Sequence, residues 1–196
     1  MVNHDRLEEL MYVPERISLI QTFTKPMPNF THTQRKIIVN ALDASVILSF
    51  CKAVEKNKKA LNGELKRLGQ ENPKLLMKIE YIRKIRNKAV AHLDSDDVGK
   101  IFMKIEQAVL GTSLDEVTNS YNEILDWILE VLDIRSYFRA INGDGEPKVP
   151  NEVIEKIPLR QALDIYKKAT EQTQNQSENI IKNVMEQTLK ELQNHE

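Results

Sequence analysis

One cysteine, Cys51, stands in a chain of 196 residues, so no intrachain disulfide framework can form. Cys51 lies in an apolar helical pattern, where a thiol acts as a small packing residue rather than a nucleophile. Glycine and proline are also scarce, at 6 and 7 residues. Most of them cluster at Pro26-Met27-Pro28, Gly63, Gly69 to Pro73, Gly111 and Asn142 to Pro150. Long stretches free of both favour helices, and no convincing strand pattern interrupts them. There is no excess of positive charge: the net charge of −1 excludes a broadly basic protein that coats nucleic acid. No apolar run reaches spanning length, and the N-terminus lacks a charged-then-apolar signal pattern. These features predict a cytoplasmic protein with no membrane partner.

Familiar reaction centres are missing as well. No Cys-x-x-Cys, His-x-x-x-His or Glu-x-x-His occurs, so no metal site is expected. Asp94, Asp96 and Asp97 suit helix capping better than ion binding. No Gly-rich phosphate loop and no Gly-x-Ser-x-Gly is present, which removes nucleoside triphosphatases and serine hydrolases of that type. No cofactor is implied.

What remains is an all-α pattern: an antiparallel bundle of four to five helices followed by a C-terminal helical extension. Residues 4–23 hold Leu7, Leu10, Met11, Val13, Ile17, Ile20 and Phe23, with Pro14 separating a short helix from a longer one. After a Pro-rich connection, Thr33 is expected to cap a helix running to about Lys58. Polar residues blur its end, and Gly69 to Pro73 forms a break before a helix over about 73–93. A further helix is expected at about 97–109. Ser113-Leu114-Asp115-Glu116 has the spacing of a capping box and opens an amphipathic helix ending near Ala140. The expected organisation is a bundle over 1–141, a loop over 142–151 and a helical appendage over 152–196, either with its far end a surface for pairing or as an exposed, partly frayed tail.

The informative stretch is the end of the 73–93 helix. Leu75, Ile79, Ile82, Ala89, Val90 and Leu93 follow helical spacing, and at 100° per residue Arg86 falls within that stripe, where a leucine would be expected. A charge on a packing face is costly unless paired. Tyr81, Ile85 and His92 form a second stripe, so the helix is expected to be covered on two sides. From Pro73 to His92 there are six cations (Lys74, Lys78, Arg83, Lys84, Arg86 and Lys88) against Glu80 alone, a local charge of +5. Among the four histidines, His4 and His195 lie near the chain ends and His32 lies in a Pro-rich loop. His92 alone sits within an ordered pattern. The helix dipole favours its charged form and nearby cations oppose it, which suits a proton shuttle; capping of the last carbonyls is the plainer role.

Arginine offers fixed donors to phosphate, asparagine can hold a ribose or phosphate oxygen, and histidine can move a proton. RNA brings its own nucleophile, the 2′-hydroxyl, so Arg86, Asn87 and His92 suffice for its cleavage without metal.

The arrangement Arg86-Asn87-x-x-x-x-His92 resembles the signature of the HEPN superfamily (higher eukaryotes and prokaryotes nucleotide-binding). Its context from Ile85 to Asp94 is similar to the abortive-infection branch. The resemblance covers roughly residues 5–141. It implies a helical homodimer with a composite cleft, and metal-independent endoribonuclease activity in a toxin or phage-defence role, restrained by an antitoxin protein. Carried over, Arg86 would stabilise the transferring phosphate, His92 would move the proton, and Asn87 would orient one of them or the ribose. On charge alone, Arg83, Lys84 and Lys88 would guide the RNA backbone. The competing expectations are a non-catalytic interaction module, in which Arg86 pairs with Asp43 or Asp126 and His92 only caps, and a nucleotide-binding module without cleavage.

Overall fold

The computed structural model of the protein describes residues 7–89, 109–111, 113–136 and 151–171. The described residues are all-α, with no strand among them. Two compact units divide the chain between Val131 and Leu132, ahead of the bundle limit of 141 expected from sequence.

The unit from Asp5 to Val131 begins with a short 3-10 turn, Glu8–Leu10. Helix α1 spans Val13–Phe23, with Pro14 in its first turn, where a missing N–H costs nothing. Helix α2 spans His32–Lys56 and is capped by Thr31, not Thr33. Thr31 Oγ1 accepts from the Gln34 amide at 3.2 Å, and the Gln34 side chain accepts from the Thr31 amide at 2.8 Å. Thr31-x-x-Gln34 has the spacing of a reciprocal box, which places Thr33 inside the helix. By length and composition α2 could cross a membrane, although Asn40, Asp43 and Lys52 interrupt its apolar run. Its positions Val46, Ile47, Phe50 and Val54 are buried in the protein, while Ile37 and Leu48 are exposed.

Helix α3, Lys58–Glu71, was not separable in the sequence from the blurred end of α2. Asn57 makes the division. It is buried, its amide N–H and side-chain Nδ2 both donate to the Ala53 carbonyl, and the next helix starts directly after it. Gly69 does not end α3, which runs on to Glu71; the break is Asn72 alone. Asn72 Oδ1 accepts from the Leu75 amide at 3.1 Å and so starts helix α4, Pro73–Ala89.

The Ser113–Glu116 capping box is present, with bonds of 3.1 and 3.2 Å, and opens helix α5, Leu114–Val131. This helix stops short of the expected Ala140. Asp133 has φ +48°, a left-handed conformation that ends helices and that aspartate tolerates better than most residues. The expected helix at 97–109 lies outside the described residues.

Helix α4 contacts α2, α3 and α5, and α1 packs on α2 and α5. Leu75, Ile79 and Ile82 are buried, and so are Tyr81 and Ile85 on the second stripe. Both faces of α4 are therefore covered within a single chain, and the second face needs no partner subunit to bury it. Polar ties join the helices: Arg16 donates to Ser49 at 2.7 Å, Gln21 to Thr118 at 3.1 Å, and Lys78 to Glu123 at 2.6 Å.

The unit beginning at Leu132 contains α6, Asn151–Lys156, and α7, Leu159–Glu171. Ile154, Ile157, Ala162, Leu163, Ile165 and Tyr166 are buried, so this part of the C-terminal extension is packed rather than an exposed tail. Arg135 holds it locally, donating to the Ile157 carbonyl through Nε and Nη2 at 3.1 and 2.9 Å. The expected pairing surface beyond 171 lies outside the described residues.

One interhelix bond gives a pH test. Tyr121 of α5 is fully buried and its hydroxyl donates to Asp43 Oδ1 of α2 at 2.5 Å. Burial pushes the Asp43 carboxyl above its ordinary 3.8, and the tyrosine bond only partly offsets this. A raised folded-state pKa means that the contribution of this group to stability is present at low pH and lost as pH rises past the unfolded value. Asp43→Asn should therefore raise the urea midpoint at pH 7, with the gain vanishing below about pH 4. Tyr121→Phe should instead destabilise the protein by about 1–3 kcal/mol, through an unsatisfied buried oxygen.

Candidate functional site

The site is assembled where the C-terminal parts of α2 and α4 run side by side. Ile82 fills the packing stripe of α4, and Arg86 occupies the next turn of the same stripe. Facing them on α2 are Cys51 and, one turn on, Glu55. The Cys51 thiol donates to the Ile82 carbonyl at 3.7 Å. Arg86 Nη1 donates to Glu55 Oε1 in an ion pair. Two contacts, each one helical turn apart, thus set the register of the two helices at this end.

Arg86 is not sealed in the core. Its side chain is 32% exposed and that of Glu55 is 55% exposed. Among the described residues Glu55 is its one ion-pair partner. Of the acids expected from sequence to pair with Arg86, Asp43 is held by Tyr121, and the ion pair that Arg86 makes is with Glu55. Glu55 was missed because it lies in the polar end of α2, where charge looks like ordinary solvated surface. The signal lay in its spacing, since Glu55 follows Cys51 by four residues and therefore stands above a core position.

Charge around the site is less concentrated than the +5 of the sequence. Lys78 is neutralised by Glu123, and Arg86 by Glu55. Lys74, Arg83 and Lys84 are exposed and make no ion pair with described residues. Arg83 is close enough to Cys51, together with Arg86, to influence its titration; Lys84 points away along the next 100° of the helix. Asn87 and Lys88 lie in the last turn of α4. His92, and the side chains of Asn87 and Lys88, lie outside the described residues. No cluster of three or more potential metal ligands occurs among the described residues.

Burial pushes the Cys51 thiol up to about 11, with Glu55 adding to the shift and Arg86 and Arg83 opposing it. The protonated thiol is thus the resting form at neutral pH, as expected for a packing residue. At pH 8 the native protein should react with iodoacetamide about 100-fold more slowly than the urea-unfolded chain, from thiolate population alone. Mass spectrometry of the labelled protein measures this; equal rates would mean that the thiol is open to solvent.

No family model, no curated protein and no solved structure matches the chain.

Proposed function

We propose that the protein is a metal-independent endoribonuclease of the HEPN type. The reading rests on one observation: a half-exposed arginine occupies a core-facing slot and is paired to an acid that is itself exposed. Such a pair is worth about 0–1 kcal/mol. A leucine there would bury apolar area at no desolvation cost, so stability does not account for the arginine. A guanidinium held through one nitrogen, with no second ion-pair partner among the described residues, could turn its other donors to a phosphate and so does account for it. In this reading Glu55 aims Arg86, Arg86 stabilises the phosphorane, and His92 moves the proton. The 2′-oxygen attacks phosphorus and the 5′-oxygen leaves, giving a 2′,3′-cyclic phosphate and a 5′-hydroxyl. Asn87 orients the reacting groups, while Arg83, Lys84 and Lys88 guide the strand.

The homodimer belongs to the same proposal. Ile37, Ala41, Ala44 and Leu48 are exposed on one side of α2. At 100° per residue Glu55 continues that stripe. A second copy seated on it would close over the Arg86–Glu55 pair and form a composite cleft. The proposed role is growth arrest or phage defence under the control of an antitoxin.

A second reading is favoured by the same ion pair, since Arg86 satisfied within its own chain is what a non-catalytic interaction or nucleotide-binding module would need.

The two readings separate on Arg86→Leu and His92→Ala. Arg86→Leu should change stability by no more than about 1 kcal/mol in urea unfolding. Both variants should lower cleavage of a mixed RNA substrate in EDTA by about 100-fold or more. Equal cleavage by wild type and His92→Ala, or cleavage only with added divalent metal, rejects the nuclease. Substantial unfolding of Arg86→Leu supports the module.

A further inference from the structure

A groove of about 470 Å³ lies between α3 and α4, within the size range of small-ligand sites. Leu65 and Leu76 give it an apolar lining, and Asn62 adds an amide with both donors and an acceptor. Lys66 and Arg83 bring two cations from opposite helices, against Glu80 as the single acid. Neither cation has an ion-pair partner among the described residues.

Two glycines of α3 also line this groove, for different reasons. At Gly69 a Cβ would approach Leu76 Cδ2 at 3.1 Å, so close packing of the helices explains it. At Gly63 a Cβ would meet nothing within 4 Å, and no left-handed backbone is required. Glycine inside a helix is destabilising relative to alanine. Neither packing nor conformation asks for it at Gly63, and what its missing side chain preserves is the open space of the groove.

We propose that this groove holds one nucleotide of a single-stranded RNA. The base lies against Leu65 and Leu76 over the gap at Gly63, with its edge open to Asn62. Lys66 and Arg83 hold its phosphate. Glu80, one turn before Arg83, repels phosphate from its end of the groove and so sets the direction of the strand. The idea rests on Arg86 acting on RNA: Arg83 is about one turn from Arg86 on α4, so a strand leaving the groove at Arg83 reaches the guanidinium directly. Unstacked bases in protein grooves are the usual basis of single-strand RNA recognition.

The test is fluorescence anisotropy with a fluorescein-labelled 2′-O-methyl oligoribonucleotide, which binds but cannot be cleaved through a 2′-hydroxyl. Gly63→Leu fills the groove with a strong helix former. It should melt at or above the wild-type temperature yet bind the probe about tenfold more weakly. Arg83→Ala should reduce the slope of log affinity against log salt by about one. Binding by Gly63→Leu equal to wild type, or no binding of the probe by wild type, overturns the proposal. Wild-type binding that is sensitive to Gly63→Leu, without any RNA cleavage in EDTA, leaves the groove standing and removes the nuclease.

Discussion

The packing of α2 against α4 governs what this protein can do. Along that seam a thiol meets a backbone carbonyl, and one turn later a carboxylate meets a guanidinium. The first contact is buried and fixes the second, because helices that are locked at Cys51 and Ile82 cannot slide past each other by a turn without emptying the core. A long, flexible arginine is thereby delivered to one place. Its charge stays near the surface while its stem continues the apolar stripe of Leu75, Ile79 and Ile82, as arginine side chains often do. The apparent contradiction in the sequence, a cation among leucines and isoleucines, resolves as a side chain half in and half out.

This geometry limits the roles open to each neighbour. Cys51 lies close to two arginines, an arrangement that elsewhere lowers thiol pKa values, yet burial dominates and keeps the proton on sulfur. Glu55 lies beyond the buried zone, so it can pair with Arg86 without bringing a second charge into the core. That exposure makes the pair weak as a structural link and exchangeable as an electrostatic one. A phosphate arriving at Arg86 would compete with a solvated carboxylate rather than with a buried one. The proposed nuclease and the proposed inert module therefore differ less in architecture than in whether anything else ever occupies the free side of the guanidinium.

Helices were legible in the sequence where local chemistry was strong. The Ser113–Glu116 box, Pro14 in a first turn and the stripes of α4 as far as Ile82 and Ile85 carry their own signals, and each has its counterpart in the structure; Ala89, Val90, His92 and Leu93 of those stripes lie outside the described side chains. The misreadings came where two local signals competed. Thr31 and Thr33 both suit a cap, and the glutamine three residues after Thr31 decides between them. Gly69 resembles a stop but lies inside α3, where a Cβ would sit 3.1 Å from Leu76 Cδ2, a tight contact. At the end of α5 the helix pattern continues in the sequence, while the backbone turns left-handed at Asp133. Arg86 stood out from spacing alone, but its partner did not, since pairing with Glu55 spans 31 positions and depends on the tertiary register of α2 and α4.

The second covered stripe of α4 shows why such register matters to function. That stripe carries Tyr81 and Ile85. Both are buried inside the chain. Exposed apolar side chains line one side of α2, where Ile37, Ala41, Ala44 and Leu48 lead along the helix to Glu55. If two copies associate there, the surface that joins them and the surface that holds Arg86 are the same face of one helix. In the proposed homodimer assembly and activation would then be a single event: covering the stripe would exclude water from the space beside Arg86, so that a phosphate there would be less screened from the guanidinium. A monomer would present the same residues in a more strongly screened setting, so control over pairing of the subunits would be control over chemistry.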